Sequence, residues 1–496
     1  MGIFELEAAM QESLPPDEGK AADIFSRLGY SIADAIADIV DNSVDAGASR
    51  VHLRFARSAE GIHSVLIADN GSGMSDKDLR EAMRFGSRST KSGKQLGKYG
   101  IGLKSASLSQ ARTVTVVSRQ GRTMVGRRWT LENVKKNWTC EILRTGPLSP
   151  VFKTQYGDFH IKKSGTVVIW ERLEHLAALP QYLDQVLEKT RREISIELGI
   201  RFHRFIEDGR LAISVDEQFG LDEPTGIPVF VTALNPFSYE TSGHSDYPVN
   251  LHLKIEGTSV VAECHIWPAK SKAPGYRLGG GKVALRQGFY FFRNDRVIQA
   301  GGWNRTRGDD SEPHLSLARV KIDLPSVLDS MFKLDVTKSR LDPTPLFISV
   351  LMDAATTRGV TFEKYTGDAG ATYRTQKKKE AARFPLIPGP GLPISAQRAI
   401  ATILGEKGVG RPKKVTFKWT TLDLDEVVRL DAERDVIHLN ARYRRRLTEG
   451  ASGDAPVLKV TLMFLLQEEL EKSFVTRKAQ EWLLRVNAAL LASMKE

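Results

Sequence analysis

Residues 31–47 read SIADAIADIVDNSVDAG. At about 100° per residue, Asp34, Asp38, Asp41, Asn42 and Asp45 fall within one arc of roughly 100°, while Ile32, Ile36, Ile39 and Ser43 fall on the far side. The pattern predicts an amphipathic helix with Ser31 as its N-cap and Gly47 as its stop, its aliphatic side suited to packing on a sheet. A solvated acidic face is the plain explanation of the charge. Four carboxylates and an amide so tightly bunched repel one another, however, and a cation such as Mg2+ beside them relieves that repulsion.

Two glycine clusters follow. Val51–Phe55 alternates and reads as a strand, and Ser64–Ala68 reads as a second strand ending at Asp69. A carboxylate there accepts from an adenine amino group, and Gly71 and Gly73 of Asp69-Asn-Gly-Ser-Gly73 let backbone approach the base. Gly97-Lys98-Tyr99-Gly100-Ile101-Gly102 precedes a helix opening near Leu103. The exposed N–H groups of such a helix start suit phosphates, and Lys98 and Lys104 add charge. Asn42 offers a side-chain carbonyl to Mg2+, and Asp38, one turn earlier, is the candidate base for an attacking water. Asp41 and Asp45 read as support for the helix and the Mg2+ shell. No GxxxxGK[ST] occurs, which removes the P-loop alternative. Residues 76–85 and Ile101–Ser109 read as helices, Ser87–Gly97 as a polar loop, and Thr113–Ser118, Met124–Trp129 and Thr166–Trp170 as strands. Together these predict an α/β sandwich, a mixed sheet with helices on one face.

The order of these blocks resembles the GHKL ATPases: gyrase, heat-shock chaperones, histidine kinases, mismatch-repair ATPases and MORC proteins. Asp38-Ile-Val-Asp-Asn42-Ser-Val-Asp45-Ala-Gly47 resembles the first motif of that family, Asp69-Asn-Gly71-Ser-Gly73-Met74 the second, Gly97 to Lys104 the third in its MORC-like form, and Gly165-Thr166 the fourth. The resemblance implies a Bergerat-type fold that binds ATP with Mg2+. It assigns nucleotide contacts to Asn42, Asp69, Gly71, Gly73, Met74, Lys91, Gly97, Lys98, Tyr99, Gly100, Ile101, Gly102, Leu103, Lys104 and Thr166, with Asn42 on the metal. It further implies a second, transducer-like α/β domain that lends a lysine to the γ-phosphate, here Lys338, and ATP-driven dimerisation with residues 87–97 closing over the nucleotide. The family carries glutamate where this chain has Asp38, and the shorter side chain withdraws the base by ~1.5 Å. Tyr99-Gly-Ile replaces the Arg-Gly-Glu of mismatch-repair ATPases. Only about 30 residues precede the pocket, which leaves no room for the phosphoacceptor helix of a histidine kinase. The fit is best to prokaryotic MORC-like ATPases.

The chain has 496 residues, enough for about three domains. Its 41% hydrophobic and 26% charged residues are ordinary for a globular protein, and no apolar run reaches the about 20 residues of a membrane span. Two distant cysteines, Cys140 and Cys264, without CxxC, exclude a zinc cage or a disulfide framework. The first residues lack a secretory pattern, so a reducing cytoplasm is expected. The net charge of +11 is uneven: residues 374–418 hold eleven basic side chains and only Glu380 and Glu406 as acids. That segment, with Arg442 to Arg446, is the expected contact for DNA or other nucleic acid. The expected order is an arm at 1–30, the ATP-binding domain at 31–180, the transducer-like domain at 181–360, a basic Pro/Gly-containing linker at 361–414, and a C-terminal α+β region at 415–496 ending in helices. The function expected is an ATPase acting as a dimeric clamp or switch on DNA. The alternatives are a chaperone-like remodeller or a nucleotide switch with very slow hydrolysis.

Overall fold

A computed structural model of the chain describes residues 29–84, 102–173, 176, 179–220, 223–304, 306–307, 312–334, 341–380, 386–404, 413–431, 434–448, 454–470 and 477–494. They form two compact units, residues 1–373 and 374–496.

The first unit opens with α1 (Ile32–Asp45), capped by the Ser31 hydroxyl, which accepts from the Asp34 N–H at 3.1 Å. The sheet behind it contains β1 (Arg50–Arg57), β2 (Ile62–Asp69), β3 (Ala111–Gln120), β4 (Thr123–Thr130), β5 (Glu141–Ile142), β8 (Ser164–Leu173), β9 (Ala212–Phe219) and β10 (Val229–Phe230). A separate small hairpin, β6 (Gln155–Tyr156) and β7 (Phe159–His160), lies between them in sequence. The eight strands run in the order β10-β9-β1-β2-β8-β3-β4-β5. All neighbours are antiparallel except β1 and β9. The strands expected at 51–55, 64–68, 113–118, 124–129 and 166–170 all lie inside this sheet. The helices expected near 76 and 101 are α2 (Asp76–Met83) and α3 (Gly102–Gln110).

Alternation along β1 and β9 divides the two faces. Val51, Leu53, Phe55, Ile213 and Val215 join Ile36, Ile39 and Trp170 in the core under α1, α3 and α4 (Leu183–Arg201). On the other face Ala68, Val117, Phe152, Tyr156 and Val167 form a smaller apolar layer. There His52 and Arg54 of β1 stand opposite Ser214 and Asp216 of β9. The Arg54 guanidinium makes two 2.8 Å bonds to the Asp216 carboxylate and donates to the Gln155 carbonyl at 2.9 Å. His52 lies 2.8 Å from Ser214 Oγ and 3.0 Å from Asp216. This polar cluster ties the β6–β7 hairpin to the strand pair. Because β9 and β10 complete the first sheet and Val231 joins its core, that layer continues well past the expected boundary at residue 180.

The second lobe of this unit is a five-stranded sheet, β11-β12-β15-β13-β14. Its strands are β11 (Val249–Ile255), β12 (Thr258–Ile266), β13 (Gly288–Arg293), β14 (Arg296–Ala300) and β15 (Ala318–Asp323). Strands β13 and β14 form an antiparallel hairpin. Asn294 and Asp295 take φ +47° and +66° in its turn, the residue types that tolerate that backbone. Cys264 and His265 are both buried in β12. Beyond the ladder of β16 (Phe332–Leu334) and β17 (Leu341–Pro343) comes α5 (Phe362–Glu380). Its Phe362, Tyr365 and Ala369 are buried in the second lobe's core, with spacings of three and four residues that put them on one helical face.

The expected linker at 361–414 is therefore structured wherever it is described. After α5, the second unit has β18 (Leu386–Pro388), α6 (Ile394–Leu404), β19 (Lys413–Thr420), β20 (Val428–Asp431), β21 (Val436–Asn440), α7 (Pro456–Leu465) and α8 (Arg477–Ser493). The sheet order is β18-β19-β21-β20. Prolines lack an N–H but keep their acceptor. The Pro390 carbonyl takes the Phe417 N–H at 3.0 Å, and the Val415 carbonyl takes the Gly389 N–H at 2.7 Å. Leu386 and Leu392 are buried in that unit's core. The Pro/Gly run thus docks on a sheet edge instead of spanning solvent.

Candidate functional site

Three neighbouring strands place the polar floor of the site. Asp69 ends β2 opposite Thr166 of β8, which stands opposite Ser118 of β3. The Asp69 carboxylate is buried; Oδ1 accepts from the Gly71 N–H at 2.8 Å and Oδ2 from the Ser43 hydroxyl at 3.2 Å. Burial pushes its ionisation up to about 6, against the lowering effect of those hydrogen bonds. Thr166 Oγ1 lies 3.0 Å from Ser118 Oγ, which also accepts from the Met74 N–H at 2.8 Å and donates to the Gly165 carbonyl at 3.2 Å. Second-motif backbone, fourth-motif threonine and β3 are thereby joined.

The glycines have a local cause beside the one read from the sequence. Gly73 takes φ +67°, and a Cβ on it would lie 1.9 Å from the Arg119 carbonyl oxygen. A Cβ on Gly71 would lie 2.9 Å from the Ala46 Cβ, at the end of α1. The second motif is packed between α1 and β3, and side chains there would push it off the site.

The acidic face of α1 is buried at its centre, where Asp38 and Asp41 are each 1% exposed, and partly exposed at Asp34 and Asp45. Among the described residues, two arginines stand beside this face. Arg201, at the end of α4, pairs with Asp34 and, at 2.5 Å, with Glu197. Arg296, the first residue of β14, places Nε 2.5 Å from Asp41 Oδ1 and an Nη 3.8 Å from Asp38 Oδ1. Charge repulsion along the helix therefore does not by itself call for a metal. Asp38 Oδ2 also accepts from the Tyr30 hydroxyl at 3.2 Å. Burial and the Asp38 carboxylate push the Tyr30 phenol upward.

Asn42 is half-buried, and its amide nitrogen donates to the Asp38 carbonyl at 2.9 Å. Among the described residues no hydrogen bond is made by its side-chain oxygen, the atom expected to face a cation. Among the described residues no group of three or more His, Cys, Asp or Glu side chains is arranged to hold a metal ion. Leu103 packs on the main core from the first turn of α3, and Lys104 is buried at 2% exposure. Gly102 opens that helix. Lys91, Gly97, Lys98, Tyr99, Gly100, Ile101 and Lys338 lie outside the described residues. The base of the Lys338 segment is held: Gln299 of β14 accepts the Leu341 N–H at 2.7 Å and exchanges hydrogen bonds with Asn304 at 2.6 and 3.0 Å.

Asp38, Asn42, Asp69, Gly71, Gly73, Met74 and Thr166 are thus placed on α1 and on the ends of β2 and β8, with α3 beginning beside α1. Residues 30–164 match the histidine kinase-, DNA gyrase B- and HSP90-like ATPase family. This domain is a member of that family. Protein MICRORCHIDIA 6 of Arabidopsis thaliana is 34% identical over 92 residues, covering 18% of this chain and 14% of that protein. ATPase MORC2 of Homo sapiens is 32% identical over 94 residues, covering 18% and 9%. ATPase morc-1 of Caenorhabditis elegans is 34% identical over 86 residues, covering 17% and 10%. The chain thus spans only 9% to 14% of the length of these relatives. A solved N-terminal domain of a DNA repair protein aligns over 72% of this chain and 99% of its own, at 15% identity and a TM-score of 0.41.

The site residues expected from the sequence did not include Ser43, Ser118, Tyr30, Arg201 or Arg296. Ser43 sits on the apolar side of the helical wheel and Ser118 ends an expected strand, so each was legible as a polar residue in an apolar context. The two arginines carry no local signal.

In the second unit, Arg442, Arg444, Arg445 and Arg446 are exposed around a short helix, and the Arg444 guanidinium lies 5.3 Å from the centre of the Trp419 ring. Lys414 and Lys418 of β19 are exposed, while Lys413 pairs with Asp435 at 3.0 Å.

Proposed function

We propose that the chain binds ATP with Mg2+ and hydrolyses it, and that nucleotide-driven association of two copies works as a clamp or switch on DNA. The observation that carries the nucleotide reading is the buried Asp69 carboxylate, braced by Ser43 and Gly71 and joined across the sheet to the Thr166–Ser118 pair, in a domain of an ATPase family. In this reading Asp69 accepts the adenine amino group. The start of α3 and the segment with Gly97, Lys98, Tyr99, Gly100 and Ile101 face the phosphates, joined by Lys91, Lys104 and, from the second lobe, Lys338.

Asn42 would hold Mg2+ through its side-chain oxygen, with the remaining ligands drawn from phosphate and water; the metal supplies charge neutralisation on the phosphates. Asp38 orients and deprotonates the attacking water. The Tyr30 hydroxyl holds the rotamer of that carboxylate, with the Arg296 charge 3.8 Å away, which matters because aspartate reaches less far than glutamate. The same engagement favours a second reading, a nucleotide switch with slow turnover. The basic surfaces at 374–418 and 442–446 are the proposed DNA contacts. The proposed site of action is the cytoplasm; among the described residues no helix is long and apolar enough to cross a membrane.

The test is ATPase activity with and without duplex DNA, alongside solution mass in a non-hydrolysable analogue, for wild type, Asp38→Ala and Asp38→Glu. The proposal expects a nucleotide-dependent doubling of mass and loss of turnover in Asp38→Ala. Wild-type turnover in Asp38→Ala removes Asp38 as the base. Absence of analogue binding removes the nucleotide reading altogether.

A further inference from the structure

The second lobe contains a stretch free of acids. Between Glu263 and Asp295 stand Lys270, Lys272, Arg277, Lys282, Arg286 and Arg293, and no carboxylate. At its centre Gly279, Gly280 and Gly281 take φ +80°, +135° and +81°, a backbone path that other residues rarely follow. The loop lies against α4: a Cβ on Gly279 would meet the Ile196 side chain at 2.4 Å. Two guanidiniums hold it from either side. Arg286 donates to the Leu278 carbonyl at 3.3 Å, and Arg192 of α4 donates to the Gly279 carbonyl at 3.4 Å.

Arg192, Arg277 and Lys282 are exposed and Arg286 is partly so. Among the described residues none of these four pairs with a carboxylate, and the acid that follows Arg192 on α4, Glu193, is held by Lys189 at 3.8 Å. Beneath the loop lies Arg319, which is 0% exposed. Its guanidinium donates to the carbonyls of Pro236 and Gly275 at 2.7 Å and of Tyr276 at 2.5 Å, and sits 4.7 Å from the Trp267 ring centre. It too has no carboxylate partner among the described residues. Burial, joined by the neighbouring Arg286 charge, lowers its ionisation from the ordinary value. A buried guanidinium is normally paired with an anion. Here three carbonyls accept from its two Nη nitrogens while Nε has no hydrogen-bond partner among the described residues, and no anion cancels it, so its charge adds to the field above the loop.

We propose that this loop, residues 270–286 together with Arg192, is a docking surface for the phosphate backbone of duplex DNA. The exposed Arg192, Arg277 and Lys282, none paired with a carboxylate among the described residues, stand over a buried guanidinium and match a dense row of phosphates. Tyr276, the one aromatic of the loop, is buried, so no ring is offered to stack on bases and the contact is independent of sequence. The surface rests on the DNA part of the function proposed above, but on neither the nucleotide pocket nor the basic segments of the second unit.

The experiment follows a labelled mixed-sequence duplex by fluorescence anisotropy against the full chain over a series of salt concentrations. Arg277→Ala/Lys282→Ala is compared with wild type and with a charge-matched control on a distant exposed turn, Lys162→Ala/Lys163→Ala. Each lost phosphate contact lowers the slope of log affinity against log salt by about 1. The loop variant is therefore expected to lose about 2 from the slope and the control almost nothing. An unchanged slope in the loop variant, or an equal loss in the control, overturns the proposal. So does a wild-type chain that binds an acidic peptide through this loop but not the duplex. Titration with a non-hydrolysable ATP analogue runs in parallel. Failure there with a loop-dependent slope intact refutes the nucleotide reading and leaves the surface standing.

Discussion

Replacing Arg296 by methionine tests whether the second lobe holds the acidic helix. The guanidinium is 3% exposed, its Asp41 partner 1% and its Asp38 neighbour 0%, with contacts of 2.5 and 3.8 Å. Removing one member of so buried a pair costs about 3–5 kcal/mol, because the remaining charge loses its counter-ion without regaining water. Arg296→Met is therefore expected to destabilise the first unit by about that amount in urea denaturation read by circular dichroism. Arg296→Lys keeps the charge but loses the planar fork, and should fall between wild type and methionine. The decisive comparison is a double-mutant cycle with Asp41→Asn. If the pair is real, the double variant costs less than the sum of the single variants by about 1–3 kcal/mol. Costs that add to within about 0.5 kcal/mol would refute the coupling. In the same variants, nucleotide-analogue affinity should survive in Arg296→Lys and fall in Arg296→Met, since Asn42 lies on the helix that Arg296 anchors.

Four further outcomes are expected. Because burial raises Asp69 to about 6, a ligand whose amino group needs the charged form should bind about tenfold more weakly at pH 5 than at pH 7; calorimetry with adenosine, which has no phosphate to titrate, checks this, and a flat profile refutes it. A raised carboxyl also contributes stability at low pH that is lost as pH rises through 6, so Asp69→Asn should raise the unfolding temperature more at pH 8 than at pH 5, while abolishing adenosine binding. Gly73→Ala forces a Cβ onto the Arg119 carbonyl in a left-handed backbone, and should cost at least about 1–3 kcal/mol together with adenosine affinity in the same titration. Arg54→Met strands Asp216, which Arg54 and His52 hold below the usual carboxylate range against the pull of burial; a loss of about 3–5 kcal/mol in urea, with adenosine affinity unchanged, is the expected result.

The parts of the site legible in sequence are those encoded locally. The period of residues 31–47 gives α1, and the turn residues at 69–73 give the end of β2, since each depends on neighbours within one turn. The partners of the acidic face are not local. Asp34 meets an arginine 167 positions away, and Arg296 reaches α1 from another lobe, so local periodicity carries no trace of either. The same limit explains why the acidic cluster suggested a metal. Like charges on one helix signal that a cation is nearby without saying whether it is Mg2+ or a guanidinium. The segment after residue 361 misled for a different reason. Its lysines and prolines outweigh Phe362, Tyr365 and Ala369 in composition, although three apolar residues on one face are enough to seat a helix.

The parallel pairing of β1 with β9 determines where this protein can be cut. A fragment ending at residue 180 would leave the hydrogen-bonding edge of β1 bare along Arg50 to Arg57, with His52 and Arg54 facing the space vacated by Ser214 and Asp216. Such a fragment contains the whole nucleotide-family match yet presents an open strand for adventitious pairing between molecules. An isolated piece meant to report on nucleotide chemistry has to run at least through Val231, where the sheet and its core close.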